Sequence, residues 1–378
     1  MFLKHDLDFS GRAIIDAMRA TNHDQVSMVF LPICPKWRNL RKIATTHLFI
    51  SQRLDASEAL RLQKINELVE YAGQCSESGL PIDIGKAAFV TTLNLLSNTI
   101  FSMDLATHVS SNSQEFKDII WTLLEEAARP NVSDFFPLVR GLDLQGVLRR
   151  ATDFANKLLG IFEEIIDERL RNSNDAKDDF LGTLLKLVDN NELSLDEVKH
   201  LLVDLFTAGT DTSSSTLEWA ITELLRNPKK MEKAQTELDQ VFGKHGFIQE
   251  SDISKLPYIQ AIVKETYRLH PPAPFLIPYK AEKVVELGKF SVPKNAHVWV
   301  NVWSIGRNPS VWTNPLMFSP ERFLDKELMM VHLMLAKLLH AFNWTYHGTE
   351  SYKDINVEEK FGISLQKAQP LQAIALPR

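Results

Sequence analysis

The chain has 378 residues, 44% hydrophobic and 24% charged, which is enough apolar material for a sizeable core. Its formal net charge of -6 argues against a general nucleic-acid binder. The basic stretch from Lys36 to Lys42 is a local exception, read as a solvated helix face. Only two cysteines occur, Cys34 and Cys75, in unrelated contexts, so a disulfide framework and a cysteine-spaced metal site are excluded and a reducing compartment is the simpler inference.

No run of about 18 or more apolar residues occurs, and the residues from Met1 to Asp6 do not begin a signal peptide. From the chain alone a soluble, cytosolic protein is expected. No linker or repeat divides it, and one domain over residues 1–378 is expected, with Asn172 to Asp179 and Val241 to Gly246 as surface loops. Cys75 sits in a polar, surface-like stretch. Leu158, Ile161, Phe162, Ile165, Ile166 and Leu170 form an apolar stripe at helical spacing, expected to pack into the core.

Ser194-Leu195-Asp196-Glu197 is a capping box, in which Ser194 and Glu197 satisfy free backbone donors reciprocally. The helix it opens continues through Leu201, Trp219 and Leu225 to a stop before Pro228, roughly 45–50 Å at about 1.5 Å per residue. Ala208-Gly209-Thr210-Asp211-Thr212 stands in its middle. Hydroxyls that bond back to preceding carbonyls, together with a glycine, predict a local widening or kink. Such a segment marks either a functional site or a close helix crossing.

Lys229 to Phe242 reads as a charged amphipathic helix, and Leu256-Pro257-Tyr258 opens another that ends at Leu269-His270-Pro271-Pro272. From Pro278 to Val302 the residues favour strands, with alternation from Ala296 to Val302 and a turn from Val292 to Asn295. A proline-rich loop follows, then a last strong helix from Leu328 to Phe342, on which His332 and His340 read as ordinary partly buried histidines. The expected class is mainly α with a small β region toward the C-terminal third.

Four short motifs follow one another along the chain. Trp37 and Arg41 stand four apart on one helical face, Ala208-Gly209-x-Asp211-Thr212 follows, then Glu265 and Arg268 three apart, then Pro320-Glu321-Arg322-Phe323. In this order they are the motif sequence of the cytochrome P-450 haem-thiolate monooxygenases, which the chain resembles over essentially its whole length. The stretches from Asn94 to Ser102 and from Phe361 to Ala368 look like the plant branch that includes the geraniol 8-hydroxylases.

The resemblance implies a cytochrome P-450 fold and a set of roles. Trp37 and Arg41 would hold a haem propionate. Ala208 and Gly209 would border the haem, and Asp211 and Thr212 would deliver protons during oxygen activation. Glu265, Arg268 and Arg322 would form a buried structural network. Leu205, Phe206, Ala273, Phe275, Ile277 and Ile363 would line the substrate pocket, or equally belong to ordinary core. The implied activity is hydroxylation of a small hydrophobic, terpenoid substrate, with haem as cofactor and electrons from an NADPH-dependent reductase partner at the cytosolic face of the endoplasmic reticulum membrane.

The sequence departs from the family in one decisive place. The axial ligand is a cysteine thiolate on a loop of pattern Phe-x-x-Gly-x-Arg-x-Cys-x-Gly before the last long helix. Here Phe323 is followed by Leu324-Asp325-Lys326-Glu327 and then directly by helical sequence. An internal deletion near 325–327 is expected, leaving an incomplete fold with no metal ligand. The family's membrane anchor, proline-rich hinge and most of its first sheet would precede Met1. The competing expectation is a catalytically inactive helical remnant that binds hydrophobic ligands or partners without turnover.

Overall fold

Prolines and capping side chains set most of the helix boundaries. The computed structural model describes residues 5–108, 111–172, 178–244, 246–324, 330–348, 351–360 and 362–378. Its longer helices are α1 (Pro35–His47), α2 (Glu58–Glu77), α3 (Ile84–Phe101), α4 (Ser111–Ala128), α5 (Val147–Arg171), α6 (Phe180–Asp189), α7 (Leu195–Arg226), α8 (Pro228–Phe242), α9 (Pro257–Leu269) and α10 (Met330–Ala341). The capping box forms as expected: Ser194 Oγ accepts from Glu197 N and Glu197 Oε2 accepts from Ser194 N at 2.9 Å. Pro228 and Pro257 each take an opening position, where a missing N–H leaves no ladder bond unmade. Of the expected last helix, Leu328 and Met329 lie outside the described residues, as does the 325–327 junction, and Phe342 already begins a strand.

The kink expected at Gly209 does not interrupt α7, which runs unbroken from Leu195 to Arg226. Thr210, Thr212 and Thr216 turn their hydroxyls onto the carbonyls of Phe206, Ala208 and Thr212 at 2.7–2.8 Å. These are the back-bonds expected from the sequence, and they form within a continuous helix.

The strands are short: β1 (Gly11–Arg12), β2 (Ile82–Asp83), β3 (Tyr279–Lys280), β4 (Val285–Leu287), β5 (Phe290–Val292), β6 (His297–Val298), β7 (Phe342–Tyr346), β8 (Glu359–Lys360), β9 (Gln366–Lys367) and β10 (Gln372–Pro377). They pair antiparallel as β1-β3-β6, β2-β10-β7, β4-β5 and β8-β9. The strand expected through Val302 stops at Val298, because Asn301 caps a short helix through its Oδ1 and Ser304 N at 2.8 Å.

Two apolar clusters meet along α7. One joins its C-terminal half to α2, α8, α9 and α10, and the other joins its N-terminal half to α3, α4, α5 and α6. On α5, Leu158, Phe162 and Ile166 are buried as expected, whereas Leu170 is exposed. Cys75 is buried and not at the surface, since the spacing 65, 68, 72, 75 puts it on the inner face of α2 despite polar sequence neighbours.

Glu265, Arg268 and Arg322 meet in the interior. Arg268 forks onto Glu265 through two contacts of 2.7 and 2.8 Å, and Arg322 Nε lies 3.5 Å from Glu265 Oε1. Ser319 N donates to the same carboxylate at 2.6 Å. Arg268 also donates to the carbonyls of Gly306, Pro315 and Met317, and so ties α9 to the irregular segment after β6. A Cβ on Gly306 would lie 2.2 Å from Arg268 O, so only glycine permits this approach.

Arg268→Ala strands a buried carboxylate and releases three carbonyls. It should lower stability by roughly 3–5 kcal/mol, against under about 1 kcal/mol for an exposed pair, read from the urea midpoint.

Glu218 supplies a second measurable anchor. Its Oε1 accepts from Leu371 N at 2.7 Å beneath Gly85, where a Cβ would lie 2.6 Å from Oε2. Burial pushes its carboxyl up to about 7. The folded chain therefore keeps a proton that the unfolded chain releases above pH 4.5, and stability falls as pH rises from there through 7. Glu218→Gln should remove that component, so the variant should gain on the parent between pH 5 and pH 8 in paired urea titrations.

Candidate functional site

One face of α7 borders an apolar cavity. His200, Val203, Asp204, Thr207, Ala208 and Thr212 recur at helical spacing on that face. Pro272, Ala273 and Ile277 lie across from them, brought there because the two prolines end α9 and turn the chain back, and Ile363 and Ser364 close the same side. The cavity encloses about 200 Å³ and is otherwise lined by apolar side chains such as Phe30, Leu124 and Leu159. A second space of about 520 Å³ shares Met18, Phe30, Ile277 and Ile363 with it, and is bordered by Phe275 and Trp299.

The structure thus brings Ala208, Thr212, Ala273, Ile277 and Ile363 to the first cavity and Phe275 to its neighbour. Leu205 and Phe206, expected to border the substrate, do not reach either space. They point to the opposite side of α7, where Phe206 stacks on Phe101 at 5.5 Å and packs against Phe162 at 5.1 Å between ring centres. Successive helical residues are separated by about 100°, so positions next to a cavity-facing residue turn away from it. Gly209 faces α3, with a Cβ placed there 3.4 Å from Leu96 Cδ2. The glycine lies on the α3 side of the helix, and the threonine three residues on faces the cavity.

Asp211 is buried beside the cavity wall. Its Oδ1 accepts from Trp121 Nε1 at 2.9 Å and from Gln366 Nε2. Desolvation pushes this carboxyl above the usual carboxylate range, against hydrogen bonds from Ser364, Trp121 and Gln366. Thr212 is half-buried and its hydroxyl donates to Ala208 O.

Trp37 and Arg41 share a face of α1, with the guanidinium 5.5 Å from the indole ring. The indole N–H donates to Met28 O at 3.1 Å, and Arg41 is exposed along with Lys36, Arg38 and Lys42.

Two clusters carried no signal in the sequence. His23, His200 and Asp204 converge at one end of the first cavity across 177 residues of chain, with His23 Nε2 at 3.1 Å from Asp204 Oδ1. His270 is stacked on Trp219 at 3.8 Å and held between Glu223 and Glu359 at 3.0 and 3.1 Å. Neither has a local spacing that could announce it.

A haem-thiolate centre needs a cysteine sulfur facing α7 from the far side of the macrocycle, and the donor set here does not fit it. Cys34 caps α1, its Sγ accepting from Trp37 N at 3.4 Å, and Cys75 is buried on the inner face of α2. Among the described residues no cluster of histidine, cysteine, aspartate and glutamate is arranged to hold a metal ion.

Residues 1–328 match the cytochrome P450 family. Cytochrome P450 monooxygenase 76AD131 of Lophophora williamsii is 49% identical over all of this chain and 82% of its own. Geraniol 8-hydroxylases of Catharanthus roseus and Swertia mussotii are 45% and 44% identical, over 98% and 99% of this chain and 81% and 82% of their own. The first alignment extends over 409 residues, 31 more than the chain contains, so that relative carries residues with no counterpart here. In fold, the chain is similar to a zebra fish cytochrome P450 solved with progesterone, at a TM-score of 0.79 and 22% identity, covering all of this chain and 90% of the other. No helix among the described residues is long and apolar enough to cross a membrane. The ordered motifs, the helical body around α7 and the match over most of the length lead to one assignment: the chain belongs to the cytochrome P450 family and is by family a cytochrome P450 monooxygenase.

Proposed function

We propose that this chain derives from a terpenoid-hydroxylating monooxygenase and keeps its substrate side while lacking its haem ligand. The observation that carries the reading is the apolar cavity along α7, which runs past Ala208 to Thr212 and is closed by Ala273, Ile277 and Ile363. Its size and lining suit a small hydrophobic molecule. The names of the relatives support a terpenoid, three of them being hydroxylases of geraniol or of geranylhydroquinone. The active parent would draw electrons from an NADPH-dependent reductase and sit at the cytosolic face of the endoplasmic reticulum membrane.

The residues of the site divide by task. Ala273, Phe275, Ile277 and Ile363 exclude water and shape the substrate space. Thr212 Oγ1 and the buried Asp211 carboxyl are the groups able to hold and pass a proton beside the cavity. Arg41, exposed beside Trp37, is the cation available to an anionic group. Glu265, Arg268 and Arg322 act through structure alone. We assign residues 1–378 to one domain with an internal deletion at 325–327.

The sequence as it stands favours a chain that binds substrate without turnover, since no cysteine faces the expected ligand position. Expressed with added haem, reduced and exposed to carbon monoxide, it should give no thiolate-type red-shifted Soret band. Such a band would overturn the reading and make Cys34 or Cys75 the ligand. A glycine-rich cysteine loop grafted between Asp325 and Glu327, with a family N-terminal segment, should restore that band. With reductase and NADPH the graft should hydroxylate geraniol. A graft that binds haem as a thiolate yet turns over no terpenoid would refute the substrate class.

A further inference from the structure

The cavity along α7 and its larger neighbour are an inner and an outer chamber joined at a neck. Met18, Phe30, Ile277 and Ile363 border both and form that neck. One turn of chain divides them. Leu276 N donates to Ala273 O at 3.1 Å, and Leu276 takes a left-handed φ of 54°, so that Ala273 borders the inner chamber while Phe275 and Leu276 border the outer one. Trp303 N donates to Pro274 O at 3.2 Å and holds the segment that carries Trp299 beside the turn.

The chambers differ in chemistry. The inner one, about 200 Å³, reaches Ala208 and Thr212. The acid at one end of it is already engaged: Asp204 accepts from Ser27 Oγ, Met28 N and His23 Nε2 at 2.7–3.1 Å. The outer one, about 520 Å³, has an aromatic corner, where the rings of Phe275 and Trp299 stand 5.9 Å apart at 85°. Such a corner offers a third ring a face on one side and an edge on the other, the arrangements that aromatic pairs prefer. Trp299 is 56% exposed, so its ring has apolar surface left to cover. Glu125 and Arg129 border the same chamber, and both reach solvent. A ten-carbon alcohol lodged against Thr212 uses the inner chamber and leaves the larger, aromatic one unfilled.

We infer that the substrate has two parts and is a prenylated phenol: its acyclic isoprenoid chain passes the neck into the inner chamber, and its ring packs into the corner of Phe275 and Trp299. The inference rests on the reading of the inner chamber as a terpenoid site and adds the group to which the chain is joined. Polarity sets the orientation. A phenol hydroxyl drawn through the apolar neck loses its water partners, whereas on the side of Glu125 and Arg129 it keeps solvent and charged neighbours. The chain end, and not the ring, therefore lies beside Ala208 and Thr212.

The test uses the haem-free chain and three probes, 4-geranylphenol, farnesol and geraniol, with binding followed by calorimetry. Farnesol is close to 4-geranylphenol in size and has no ring, so the difference between them isolates the aromatic corner. 4-Geranylphenol should bind about tenfold or more tightly than either alcohol. Trp299→Leu, at an exposed position, should bring 4-geranylphenol to within about threefold of farnesol. The comparison of the three probes on the parent chain decides the ligand class even where the variant fails to fold. Farnesol or geraniol binding as tightly as 4-geranylphenol, or a preference that survives Trp299→Leu, would overturn the two-part ligand while leaving the inner terpenoid chamber intact. Failure of all three probes to bind would overturn the terpenoid reading and the two-part ligand together.

Discussion

Four carboxylates on one buried helix organise this molecule. Asp204, Asp211, Glu218 and Glu223 lie along α7, which is covered on nearly every side, and none can remain unpaired in that environment without a large desolvation penalty. Each is met by a different part of the chain. Asp204 takes Ser27, Met28 and His23 of the N-terminal segment; Asp211 takes Trp121 of α4 and Gln366 of β9. Glu218 takes the amide of Leu371, and Glu223 takes His270 at the end of α9. The need to satisfy buried acids draws the loops around the cavity to fixed heights on α7. The cavity wall is thus a consequence of polar satisfaction along the helix as much as of apolar packing.

What could be read from the sequence follows from the range of the forces involved. Capping boxes and prolines act within four residues, so the start of α7, the start of α9 and its end at His270 were legible. The Glu265–Arg268 pair was legible for the same reason, since three residues on a helix share a face. The partners of the α7 carboxylates were not, because His23 and His200, or Trp121 and Asp211, are separated by 177 and 90 residues and follow no local period. Leu205 and Phe206 show the limit on the site itself: adjacent apolar residues on a buried helix look equivalent in sequence, and only the packing of α3 and α5 decides which side is core. The back-bonding hydroxyls of Thr210, Thr212 and Thr216 were legible too, but they do not interrupt the helix, which continues through Gly209 to Arg226.

The position of the proposed deletion matters more than its size. Upstream, the segment that ends at Arg322 is fixed by Glu265, Arg268 and the Gly306 approach. Downstream, α10 is held by its own apolar face, with Leu333, Leu335, Leu338 and Leu339 in the cluster shared with α2, α8 and α9. A change in the length of a loop between two anchored elements costs little in closure entropy. The same loop would carry the one sulfur that the chemistry requires. Stability and catalysis are therefore separable in this architecture, which is why a chain without a thiolate ligand can still present a shaped, partly polar cavity along α7.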